Sequence, residues 1–250
     1  MIDPPPTYQE STSQEFHSNL EIVIAIDFGT TYSGVAFGWF NPQDNRRSIA
    51  SLAEAIQVIK SWPFSGSGET KEKIPTVLSY IKSGTPLWGG YVKSYHPGQV
   101  RHFKLGLDKE LETHYTSDGP LFSLTTLECS LSDAVAVDYA SDFLKCLLSY
   151  VKESCLPEQL TADFLRNQPI SYVLTVPAIW SDNAKALTRE AAERAGIPPD
   201  RLELVTEPEA AALFCATKNL EMGLQPGDRF MVCDAGGGTV VLSPKTAFSH

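Results

Sequence analysis

Two short turns, Asp27-Phe28-Gly29-Thr30-Thr31 and Asp234-Ala235-Gly236-Gly237-Gly238-Thr239, constrain this chain more than any other feature. Each directly follows an apolar run, at residues 22–26 in the first case and 230–233 in the second. Each reads as a strand that ends in aspartate, turns through glycine and threonine, and resumes in apolar residues. Glycine allows positive φ and close backbone approach to a ligand. Successive amides in such a turn form an anion-binding nest, to which the threonine hydroxyls add donors. An aspartate at the mouth would repel phosphate unless a divalent cation, usually Mg²⁺ with its waters, lies between them. Two such hairpins facing each other would hold the phosphates of a nucleotide from both sides. The plain alternative for either turn alone is an ordinary Asp-Gly hairpin. The matched context of the pair favours the phosphate reading. Neither a G-x-x-x-x-G-K-[ST] sequence nor a G-x-G-x-x-G after a strand occurs, so a P-loop and a dinucleotide fingerprint are both unsupported.

Composition narrows the field further. With 250 residues the chain can build one large domain or two small lobes, and 42% hydrophobic with 20% charged residues is ordinary for a globular protein. A net charge of −10 argues against general nucleic-acid or anionic-membrane binding, because both need basic surface. No apolar run is long enough to span a bilayer, and the N-terminus lacks a signal-peptide pattern, so a cytoplasmic location is expected. Cys129, Cys146, Cys155, Cys215 and Cys233 show no C-x-x-C pairing and read mostly as buried free thiols.

Residues 1–20 are rich in Pro, Ser, Thr and Gln and read as a disordered tail. Within them Pro5-Pro6-Thr7-Tyr8 matches a WW-domain ligand, though a match this short also arises by chance. Strands are expected at 22–26, 33–40, 55–62, 74–81, 170–176, 202–205 and from 229 into the second turn. Residues 131–155 form the clearest helix, with Val135, Tyr139, Phe143, Leu147 and Val151 in one row and Ala136, Ala140, Leu144 and Leu148 beside it. Ser181 caps a second helix running to about Ala195. Thr206-Glu207-Pro208-Glu209 is a capping box that opens a third. Alternating strands and helices of this kind predict an α/β fold with helices packed on a mixed sheet.

Taken in order, Ile24-Ala25-Ile26-Asp27-Phe28-Gly29-Thr30-Thr31-Tyr32-Ser33, then Val176-Pro177-Ala178, then Glu207-Pro208-Glu209-Ala210-Ala211-Ala212, then residues 234–239, resemble the 70-kilodalton heat-shock chaperone (DnaK-like) family, in a divergent branch. The match covers roughly residues 21–240. It implies the N-terminal half of an actin-like ATPase (ribonuclease H-like) domain, with 21–228 as first lobe and 229–250 as the start of a truncated second lobe. ATP or ADP with Mg²⁺ would be the ligand. By the same resemblance Asp27 and Asp234 would hold Mg²⁺ through water. Gly29, Thr30, Thr31 and Tyr32 would contact the β- and γ-phosphates, and Gly236, Gly237, Gly238 and Thr239 would cradle them from the other side. Lys104 would stabilise the transferring phosphate, with an ordinary surface lysine as the alternative. Glu207 would position the metal hydration shell or the attacking water, and its charge also suits a helix N-terminus. Nucleotide, client polypeptides and co-chaperones would be the partners.

Several positions depart from the family pattern. Val241 stands where the family carries an aspartate that assists hydrolysis. Lys185 stands where the interlobe relay that includes Pro177 has an arginine, and lysine lacks that planar fork. Residues 243–250 continue no recognisable strand, so the second turn is expected to project from an unpartnered sheet edge. Hydrolysis is therefore expected near background. The competing function is a non-enzymatic nucleotide-sensing or protein-interaction module, with a small-molecule kinase of the same superfamily third.

Overall fold

A computed structural model of the chain describes residues 20–43, 55–63, 71–81, 84–108, 133–218, 227–235 and 240–246, with backbone alone at 133–134, 216–218, 234–235, 240–241 and 245–246. In chain order the first strands are β1 (Glu21–Asp27), β2 (Tyr32–Phe40), β3 (Gln57–Val58), β4 (Ile74–Pro75), β5 (Val77–Ser79), β6 (Leu87–Trp88) and β7 (Gln99–Arg101). There follow α1 (Asp133–Tyr150), α2 (Leu156–Gln159), α3 (Ala162–Asn167), β8 (Ile170–Val176), α4 (Asp182–Arg194), β9 (Leu202–Thr206), α5 (Glu207–Lys218), β10 (Arg229–Ala235) and β11 (Val240–Thr246).

Strict alternation in β1 puts Ile22, Ile24 and Ile26 fully inside, and the matching alternation in β8 buries Tyr172, Leu174 and Val176. β1 is the central strand. β2 returns antiparallel on one side, and β8 lies parallel on the other with Ile26 opposite Leu174. β9 continues the parallel set with Val176 opposite Thr206, giving the order β3-β2-β1-β8-β9 with β4 joined to β2. Against this sheet α1 packs Ala136, Ala140, Phe143, Leu144 and Leu147, all fully buried. Phe143 stacks on Phe28 with ring centroids 6.0 Å apart and lies 5.9 Å from Phe103, so helix, turn and the segment after β7 share one aromatic core.

Several expectations change. In 55–62 only Gln57 and Val58 form strand pairs with β2, with Ile59 N–H still donating to Val35 O at 2.9 Å, while the Ile59 and Trp62 side chains bury in the core. The run 74–81 divides at Thr76, whose N–H donates to Thr31 O at 2.8 Å while the next residues pair with β6 and β7 in a separate three-stranded sheet. The first helix loosens to a π-helical turn at Val151–Cys155 before α2. Residues 240–246 do form a strand, paired with β10 along all seven positions from Arg229↔Thr246 to Ala235↔Val240. Pro244 is tolerated because a two-stranded sheet consists of edges. The thiols divide as well. Cys146 and Cys155 are buried, and burial raises each to a pKa of about 11. Cys215 and Cys233 are exposed, contrary to the buried reading, and Cys129 lies outside the described residues.

Candidate functional site

Parallel neighbours end at the same edge, so β1, β8 and β9 deliver Asp27, Thr175 and Glu207 to one side of the sheet. Open α/β sheets bind their ligands outside the carboxyl ends of such strands. At this edge Asp27 Oδ1 accepts a long hydrogen bond from Thr175 Oγ1, at 3.4 Å, and Oδ2 pairs with Lys73 Nζ at 2.7 Å. The Asp27 carboxylate remains 41% exposed, open to water.

Phe28 anchors the turn by full burial between Phe103 and Phe143. Gly29 owes its place to close approach: a Cβ there would lie 2.1 Å from Tyr32 O. It does not take the positive φ expected from sequence; His102 is the described non-glycine residue that does, at φ 58°. Thr76 clamps the turn from behind. Its hydroxyl donates to Gly29 O at 2.8 Å, and its amide to Thr31 O at 2.8 Å. Since Thr76 has one hydroxyl proton, the 2.8 Å contact with Ser33 Oγ must be donated by serine. Trans peptide planes then direct the Thr30 and Tyr32 N–H groups away from Thr76.

Lys104 is not a surface lysine. It is 2% exposed, and its Nζ donates to Glu207 Oε1 at 2.6 Å, across 103 residues of sequence. The ammonium also lies 5.3 Å from the Trp180 ring centroid and 5.7 Å from that of Phe28. Its 3₁₀ turn, Phe103–Leu107, is tied down just beyond by buried Asp108, which accepts from Ser181 N at 3.2 Å and Ser181 Oγ at 3.3 Å. Glu207 opens α5 through the capping box read from sequence: Thr206 N donates to Glu209 Oε2 at 3.1 Å, and Glu209 N to Thr206 Oγ1 at 3.4 Å. Thr206→Ala is expected to cost about 1 kcal/mol, lowering the melting temperature by about 2–4 °C. An unchanged melt would show that the cap is dispensable.

Of the other sequence candidates, Asp234 ends up on β10 directly across from Val241, with its side chain not described. Gly236, Gly237, Gly238 and Thr239 lie outside the described residues. Lys185 pairs locally with Asp182 at 3.4 Å. Sequence reasoning missed Phe28 as anchor, Thr76 as clamp, Asp108 as the tether to Ser181, and Lys73 and Trp180 as partners of Asp27 and Lys104. Only Phe103-Lys104 carried a legible hint, an aromatic residue beside a cation. Among the described residues no group of three His, Cys, Asp or Glu side chains could form an all-protein metal cage, and no helix is long and apolar enough to cross a membrane. One accessible carboxylate beside the Thr30–Tyr32 turn would suit a cation that keeps its waters, as Mg²⁺ does.

The mixed sheet with its packed helices, and the carboxylate-and-threonine turn at its carboxyl edge, agree with the actin-like ATPase fold that the following relatives imply. No protein-family model matches the chain. It is 31% identical to heat shock 70 kDa protein 12A of Mus musculus, over 84% of this chain and 31% of that protein. Heat shock 70 kDa protein 12B of Homo sapiens is 28% identical over 90% of this chain and 40% of its own length. The chaperone protein HscA homolog of Rickettsia prowazekii is 28% identical over 94% and 34%. The chain thus belongs to a divergent Hsp70-like family, and it spans about a third of the length of these relatives.

Proposed function

We propose that the chain binds Mg²⁺-ATP or Mg²⁺-ADP at the carboxyl edge of β1, β8 and β9, as the nucleotide-binding part of an Hsp70-like protein. The observation that carries this reading is the buried Lys104–Glu207 pair held beside the Asp27 turn. A desolvated ion pair is a weak source of stability, so its retention at a ligand edge calls for a functional reason. Thr30, Thr31 and Tyr32 would contact the phosphates, with the Thr30 and Tyr32 amides turned away from Thr76 as donors. Asp27 would accept from metal-bound waters, and Asp234 with Gly236–Thr239 would close the site from the second hairpin. When bound, Mg²⁺ would offset the phosphate charge. Lys104 would add fixed positive charge, and Glu207, as its partner, would keep that ammonium in place and orient water. Residues 21–228 would form the first lobe and 229–250 the start of the second.

Hydrolysis by this chain is proposed to be near background, because Val241 occupies the place of a family carboxylate, opposite Asp234. That same position favours the second reading, a nucleotide sensor without turnover. The relatives named as chaperones make client polypeptides and co-chaperones the candidate macromolecular partners. The test is a thermal melt with and without Mg²⁺-ADP. At a hundredfold excess over Kd the nucleotide should stabilise the fold by about 2.7 kcal/mol. A cooperative melt with no shift at millimolar nucleotide would overturn the proposal.

A further inference from the structure

Strand register brings Lys73 to Asp27. β1 and β2 pair Asp27 with Gly34, and β4 pairs Ile74 with Ser33. The antiparallel run carried one residue further sets Lys73 on the other side of Gly34 from Asp27. The lysine stem crosses the bare face of that glycine: a Cβ on Gly34 would lie 3.4 Å from Lys73 Cγ and 4.0 Å from its Cε, with Glu72 O at 3.2 Å. Nζ then meets Asp27 Oδ2 at 2.7 Å, and among the described residues no second acceptor holds it. The preceding residue is pinned from outside, where Lys60 Nζ pairs with Glu72 Oε1 at 3.1 Å. Stability does not account for this arrangement. A glycine inside a strand weakens it, and an ion pair with side chains 54% and 41% exposed contributes little.

The chemistry of the turn does account for it. A carboxylate at its mouth repels phosphate unless positive charge lies between the two. An ammonium supplies that charge. It has three N–H donors and no acceptor, so Lys73 can serve Asp27 and a phosphate oxygen together. We infer that Lys73 takes the bridging place between Asp27 and a nucleotide phosphate when no divalent cation does, so that the chain binds nucleotide without Mg²⁺. The inference deepens the nucleotide reading and rests on it. Lysine and hydrated cation are alternatives at one carboxylate, and Gly34 is the residue that leaves room for the lysine.

ADP binding would be measured by calorimetry on the 250-residue chain, once with Mg²⁺ and once with EDTA, for the parent, Lys73→Met and Lys73→Arg. Replacing Mg²⁺ by EDTA should cost the parent less than about tenfold in affinity. Lys73→Met should bind ADP in EDTA about 10–100-fold more weakly than the parent, the range set by one charged hydrogen bond, yet bind Mg²⁺-ADP no more weakly. A side chain that only supported the fold would shift both affinities in the same direction. Lys73→Arg keeps the charge and should keep metal-free binding. Melting of the three unliganded proteins should agree closely, because the pair is half exposed. Parent binding of Mg²⁺-ADP that disappears in EDTA would overturn the inference and leave the nucleotide reading intact. Equal metal-free affinities for parent and Lys73→Met would do the same. A parent that bound ADP under neither condition would overturn the nucleotide reading together with the inference.

Discussion

Glu207→Ala is expected to lower stability by about 3–5 kcal/mol, because among the described residues it removes the carboxylate paired with the buried Lys104 ammonium. For a domain of this size that is a fall of about 6–20 °C in melting temperature. The side chains of Lys104 and Glu207 are 3% and 16% exposed, so their pairing is little screened by solvent. The opposite experiment separates stability from function. Replacing both partners with apolar residues of similar volume, Lys104→Met with Glu207→Leu, should restore most of the loss, since a buried ion pair is often no better than packed hydrocarbon. The double variant should nevertheless bind Mg²⁺-nucleotide poorly. Were the double variant as unstable as the single one, the cost would lie in packing against Phe28 and Trp180 rather than in the unpaired charge.

Asp27→Asn should weaken Mg²⁺-ADP binding about 10–100-fold, the range found when a partner of the metal shell is removed. The unliganded fold should hardly notice, because the Asp27–Lys73 pair is about half exposed and such pairs contribute about 0.2–1 kcal/mol. In the proposed site Lys73, paired with Asp27 Oδ2, would compete with the hydrated cation for that carboxylate. Lys73→Met should therefore raise Mg²⁺-ADP affinity, by a factor of about five at most. Calorimetric titration of the three proteins reads both effects. Equal affinities for parent and Asp27→Asn would remove Asp27 from the site.

The parts of the fold legible in the sequence were those governed by local rules. β1 and β8 alternate cleanly, Ser181 accepts from Ala184 N at 3.2 Å as an N-cap, and the Thr206–Glu209 box closes as its spacing implies. Short strands were less legible because tertiary pairing decides them. Ile74–Pro75 and Val77–Ser79 belong to different sheets, a division set by the Thr31 and Gly29 carbonyls that Thr76 serves. The site followed the same division. Asp27 and the residues of its turn announce themselves by type and order, and Glu207 by its capping box. The burial of Lys104, the Phe28 anchor, the Asp108 tether and the strained His102 depend on contacts between residues far apart, which no local pattern encodes. Residues 243–246 are expected from sequence to continue no strand, yet they pair with β10, where Pro244 fits because a proline is excluded from a central strand but not from an edge.

The span between Lys104 and Glu207 also sets an order of events during synthesis. At about 5–20 residues per second, Glu207 leaves the ribosome roughly 5–20 s after Lys104. Through that interval the ammonium lacks its Glu207 partner and is expected to favour water over burial beside Phe28 and Trp180. Synthesis of β9 and the first turn of α5 is thus expected to be the stage at which Lys104 can be buried with its charge paired.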